Sequence, residues 1–75
     1  MPMMRIKELR ESAGMKQIQL AADLGVSQNT VSGWESEISL PKARDLPRLA
    51  KVFACSVDDL YAEEYLQAME IEKGG

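Results

Sequence analysis

Residues 28–35 read Gln-Asn-Thr-Val-Ser-Gly-Trp-Glu. On a helix advancing ~100° per residue, Gln28 at ~0°, Ser32 at ~40°, Asn29 at ~100° and Gly33 at ~140° share one arc. Thr30, Trp34 and Val31 follow at ~200°, ~240° and ~300° on the other side. One arc is short, polar and uncharged; the other is bulky. A face whose only task is to meet water usually carries Glu and Lys, which favour helix and solubility. Gln, Asn, Ser and Gly are poor choices for that task. Carboxamides present a donor and an acceptor side by side, which matches the N6 and N7 edge of adenine in a duplex major groove. A serine hydroxyl can meet base edges or phosphates. Gly33 costs helix propensity of about 1 kcal/mol against Ala; it either admits a close backbone approach or is neutral.

Such an arc needs a rigid mount. Ser27 is a good cap for the helix start. With Val26 just outside the cap and Val31 at the fourth helical position, the two can form a hydrophobic staple. A preceding helix is expected over 17–24, with Leu20, Ala21 and Leu24 inward and Gly25 ending it. The joint between these helices is only about three residues, Gly25-Val26-Ser27. A glycine-containing turn of that length between short helices is the signal of a helix-turn-helix. Trp34 falls on the Val31 side and reads as core rather than as a base-stacking ring.

Around this pair, helical spacing predicts a first helix over 4–13, with Ile6, Leu9 and Ala13 on one stripe and Gly14 as its stop. A fourth is expected over 43–54, carrying Leu46, Leu49, Ala50 and Phe53. Pro47 requires either that regular helix begins near Asp45 or that the first turn is kinked. An irregular link, 36–42, precedes it. Ser56 caps an expected fifth helix, with Asp59 at the capping-box position and Cys55 and Leu60 repeating the staple pattern. Strand alternation is nearly absent. The fold class is therefore all-α, a compact five-helix bundle, with a domain over 1–62. An acidic C-terminal extension, helical or disordered, follows over 63–75.

The chain has 75 residues, one cysteine and no histidine. That excludes an internal disulfide framework and a Cys/His zinc site, and removes most acid–base and nucleophilic catalytic arrangements. No enzyme activity, cofactor or metal is expected. No apolar run approaches the ~20 residues of a membrane span, and the start lacks the apolar stretch of a secretory signal. A cytoplasmic location, without membrane contact, is expected. Cys55 reads as a small buried hydrophobe. The net charge of −3 is unevenly spread. Residues 1–51 carry eight basic and six acidic groups, whereas 52–75 carry one basic and six acidic groups. A basic face on the first part can still act locally on a polyanion.

The chain resembles the Cro and phage-repressor (Xre-type) helix-turn-helix domains, lambda-repressor-like in fold, from about Arg5 to Leu60. The likeness lies in Arg5-Ile6-Lys7-Glu8-Leu9-Arg10, Gln17-Ile18-Gln19-Leu20-Ala21, Leu24-Gly25-Val26-Ser27, Thr30-Val31-Ser32-Gly33-Trp34-Glu35, and Leu49-Ala50 through Ser56-Val57-Asp58-Asp59-Leu60. The resemblance implies a transcriptional regulator, a repressor by expectation, that binds double-stranded DNA as a homodimer. It implies base reading by Gln28, Asn29, Ser32 and Gly33. It implies phosphate contact by Gln17 and Thr30, with Gln17 also bracing the recognition helix, and an internal salt bridge between Arg10 and Glu35. Lys16 stands where many relatives have Ser or Thr as a cap, and a phosphate facing it would offset its repulsion by the helix dipole. The link carries Glu37, Ile38 and Leu40 where relatives are often Gly- and Lys-rich. Lys42 and Arg44 are then the expected phosphate clamps, or else solubilising charges. Tyr65, Leu66 and Met69 offer a stripe for a partner, with the surface of the fourth and fifth helices as the other choice. A different class remains open: a protein-interaction module of the same fold, such as an antitoxin or anti-repressor partner, which the acidic tail favours.

Overall fold

Gly25 sits at φ 71°, the left-handed backbone that lets the chain turn sharply between two helices without a Cβ penalty. Helix α2, Gln17–Leu24, ends there and α3, Gln28–Glu35, begins three residues later. The remaining helices are α1, Ile6–Ser12; α4, Asp45–Val52; and α5, Glu63–Met69. This computed structural model describes residues 3–69. Among them the architecture is the expected all-α, five-helix one.

The core takes one large residue from nearly every element. Ile6 of α1, Leu20 of α2, Val31 of α3, Leu49 of α4 and Leu60 are all fully buried. Trp34 is 4% exposed and belongs to the same cluster, as expected. Burying an aliphatic or aromatic side chain of this size stabilises by about 1.5–3 kcal/mol, which is what holds helices of seven and eight residues that would not persist alone. Val26 packs against this cluster from outside the Ser27 cap, in the staple position opposite buried Val31.

Three expected boundaries differ. Helix α1 starts at Ile6 rather than Met4, because Met4 pairs with Tyr61 in an isolated antiparallel bridge. Arg5 N–H donates to Leu60 O at 2.7 Å and Ala62 N–H donates to Met3 O at 2.9 Å, so this stretch is tied to residues 60–62 instead of joining the helix. Ala13 lies past the helix end and is exposed, leaving Ile6 and Leu9 as the inward stripe. Helix α4 is shorter than 43–54, and it begins at Asp45 with Pro47 in its first turn, where a missing N–H costs nothing.

The fifth helix expected from Ser56 is only a single 3-10 turn, Asp58–Leu60. Its capping box is present: Asp59 N–H donates to Ser56 Oγ and Ser56 N–H to Asp59 Oδ2, each at 3.1 Å. These bonds, with the chain held to Met3–Arg5, stop the turn at Tyr61, which is extended. The α-helix resumes at Glu63, inside the expected extension, and α5 buries none of its residues. Residues 70–75, with the charges of Glu70, Glu72 and Lys73 assigned to that extension, lie outside the described residues. No described helix is long and apolar enough to cross a membrane.

Candidate nucleic-acid interface

The start of α3 is fixed by Ser27, whose Oγ accepts from Thr30 N–H at 3.1 Å and lies 2.9 Å from Thr30 Oγ1. This satisfies one orphan donor of the first turn and holds Thr30 half-buried at the helix entry. Gln28 and Asn29 are exposed, and Ser32 and Gly33 half-buried, while Val31 and Trp34 face inward. The uncharged arc is therefore open to solvent at Gln28 and Asn29 and partly covered at Ser32 and Gly33.

The far end of α3 is tied to α1. Arg10 Nε donates to Glu35 Oε2 at 2.6 Å and Nη2 to Glu35 Oε1 at 3.1 Å, while Nη1 donates to Met15 O at 2.7 Å. The two side chains are 11% and 5% exposed, so this is a shielded two-point ion pair. Gln17 Nε2 donates to the same Glu35 Oε1 at 3.0 Å, and Gln17 Oε1 accepts from Gln28 Nε2 at 3.5 Å. Gln17 is thus hydrogen-bonded to both ends of α3. Burial pushes the Glu35 carboxyl up, but the hydrogen bonds of Arg10 and Gln17 and the charges of Arg10 and Lys7 outweigh it and leave it below its ordinary value. The hydrogen bond to Glu35 raises Arg10 further above its already high value.

Three basic residues are the expected phosphate contacts, Lys16, Lys42 and Arg44. Lys16 precedes α2 and is exposed; its own N–H donates to Gln19 Oε1 at 2.7 Å, and its ammonium, having no lone pair, cannot cap the helix. Lys42 and Arg44 precede α4 with exposed side chains. Among the described residues none of the three is in an ion pair.

Gly33 differs in character from the other three outward residues. Its carbonyl accepts from Ile38 N–H at 2.9 Å and Ser39 N–H at 3.3 Å, so the link folds back over it. A Cβ on Gly33 would stand 2.9 Å from Ser39 Oγ. The bare Cα thus makes room for the link.

Several contributors escape a linear reading. Arg48 Nη1 donates to Leu24 O at 3.3 Å, placing a cation on the C-terminal carbonyls of α2, where it complements the helix dipole. Asp45 is buried and accepts from Lys42 N–H at 3.0 Å, closing the turn before α4. Its three-residue spacing from Lys42 is the one local sign of that bond. Cys55 is half-buried against the core rather than fully inside, and burial raises its thiol. Among the described residues no group of His, Cys, Asp and Glu is arranged to hold a metal ion.

A family model described as helix-turn-helix matches residues 6–60. Over 62 residues, 83% of this chain, the sequence is 34% identical to the HTH-type transcriptional activator BcrR of Enterococcus faecalis. The chain spans about 30% of that protein's length.

Proposed function

We propose, from the premise that this chain belongs to the helix-turn-helix family of Cro and phage-repressor type, that it is a sequence-specific DNA-binding regulator of transcription. In this reading α3 lies in the major groove. The observation that carries it is the outward, uncharged arc of Gln28, Asn29 and Ser32 on a helix whose opposite side is buried and whose end is pinned by Arg10 and Glu35.

Base discrimination falls to the two carboxamides, each good bidentate contact contributing about 1–3 kcal/mol, with Ser32 beside them. Affinity comes from phosphates held by Lys16, Gln17, Thr30, Lys42 and Arg44 and by the first turns of α2 and α3, whose free N–H groups suit an anion. One such helix spans only a few base pairs. A homodimer with recognition helices about 34–36 Å apart reads two half-sites and gains affinity without new contact types. Tyr65, Leu66 and Met69 supply a stripe for that pairing, since Tyr65 and Leu66 are half-buried and Met69 is exposed. Tyr65 is already stacked on Tyr61, with ring centroids 5.8 Å apart, which stiffens the base of α5. Occupying a site suffices for repression, the expected outcome. Activation, named for the Enterococcus relative, would need a further protein contact from outside α2 and α3. Cytoplasmic placement follows from the DNA target.

Selection of bound duplexes from a random pool, followed by titration of the best site at two salt concentrations, tests the reading. A paired half-site motif and affinity that falls steeply with salt are expected. No selected motif and no binding at either salt would leave the protein-interaction module standing instead.

A further inference from the structure

We infer that Ser39, a residue of the link and not of the recognition helix, reads the base pair that Gly33 is positioned to face but has no side chain to reach. This rests on the DNA reading above and adds a specificity-determining residue to it.

Gly33 lies at ~140° on the arc that starts at Gln28, within the outward half of α3. The direction in which its side chain would point is filled by Ser39 Oγ, 2.9 Å from the ideal Cβ position. The hydroxyl therefore stands close to where the side chain of a residue at position 33 would place its first polar atom. Ser39 is exposed, so it fills that place without being sealed inside.

The link is held there. Ile38 N–H and Ser39 N–H both donate to Gly33 O. Glu37 adopts φ 64°, a left-handed backbone unusual for a residue with a Cβ, and its carboxylate accepts from Met3 N–H. Strain of that kind persists where surrounding contacts over-determine it. Ser36 donates its hydroxyl to Ser32 O at 2.6 Å, joining the start of the link to the same helix. Among the described residues Ser39 Oγ has no such internal bond, which leaves its donor and its lone pairs for a ligand. On either side Ile38 and Leu40 are 84% and 52% exposed, whereas Ser39 Oγ lies against Gly33.

The test compares motifs selected from random duplex DNA by the wild-type chain, Ser39→Ala and Gln28→Ala, with circular dichroism to show that each is folded. For Ser39→Ala, preference at one base pair of each half-site should fall by about fivefold, the factor of one ordinary hydrogen bond. The pairs that change in Gln28→Ala should keep theirs. Gly33→Ala, whose Cβ must displace the hydroxyl, should alter the same pair as Ser39→Ala. An unchanged motif for Ser39→Ala overturns the inference. So does an equal loss of affinity on every sequence, which marks a phosphate contact. Failure of the wild-type chain to select any motif overturns the DNA reading itself, and is thereby distinct from failure of Ser39 alone.

Discussion

Arg10 and Glu35 are 25 residues apart in the chain yet meet through two hydrogen bonds at the end of α3. Neither side chain is free to leave. The guanidinium also serves Met15 O and the carboxylate also serves Gln17. Removing one partner strands the other in a shielded place. Arg10→Met should lower stability by about 2–4 kcal/mol, at or just below the range for breaking a buried pair. Urea unfolding followed by circular dichroism would measure it. Glu35→Gln addresses pH. A carboxyl held below its ordinary value of 4.5 stabilises the fold above that pH, and the contribution is lost as pH falls through the lowered folded value. The stability gap between wild type and Glu35→Gln should therefore be full at neutral pH and shrink progressively below about pH 4.5. Asp59 is also held low, by backbone and side-chain hydrogen bonds from Ser56, and destabilises in the same acid window. Both proteins carry it, so the difference between them isolates Glu35. A gap that stays constant from pH 7 to pH 3 would show that protonation of Glu35 is not linked to folding.

Helices α2 and α3 depend on how the chain turns between them. At Gly25 an added Cβ meets nothing within 4 Å, so an alanine there would suffer from backbone conformation alone. Gly25→Ala should cost about 1 kcal/mol, with an unchanged urea m-value. A loss of several kcal/mol would instead indicate that the helices had moved apart. This turn was legible in the sequence because its determinants are local: Gly25 supplies the conformation, Ser27 the cap, and Val26 and Val31 the staple. Pro47 likewise marked the start of α4 from within its own first turn. Periodicity alone could not supply what lies across the fold. The Met4–Tyr61 bridge joins the ends of the domain and moves the start of α1. Ser56 and Asp59 form the capping box of an α-helix, but the chain delivers only a 3-10 turn, because Leu60 and Ala62 are bonded to the N-terminal segment. Arg48 reaches Leu24 O from 24 residues away, with nothing near it in sequence to announce that partner. Gly33 was legible as an oddity on the outward arc. Its cause, Ser39, lies on a link with no helical or strand pattern to place it. The link between Arg10 and Glu35 came through family resemblance, since each alone looks like a surface charge.

At the scale of the molecule, residues 63–75 carry the charge: four acidic groups and one basic, while α5 adds no residue to the buried core. Among the described residues, what α5 adds to holding the domain together is the Tyr61–Tyr65 stack and the partial burial of Tyr65 and Leu66. A chain shortened by removing residues 63–75 keeps eight basic and eight acidic residues, so the net charge of −3 disappears. Two effects then oppose each other on DNA. Losing acidic groups strengthens the long-range attraction to phosphates, whereas, in the proposed dimer, losing the Tyr65, Leu66 and Met69 stripe separates the two copies that share a paired site. They can be told apart because the first is blind to sequence and the second is not. On mixed-sequence DNA the truncated chain should bind as well as the full chain or slightly better, with the difference fading at high salt. On the selected paired site it should bind at least tenfold more weakly, since each half-site is then occupied without help from the other. Sedimentation at matched concentrations should show the dimer replaced by monomer. Cooperative occupancy of both half-sites by the truncated chain would move the dimer contact to the surface around α4 and the 3-10 turn. A large fall in melting temperature would show instead that α5 belongs to the domain rather than extending from it.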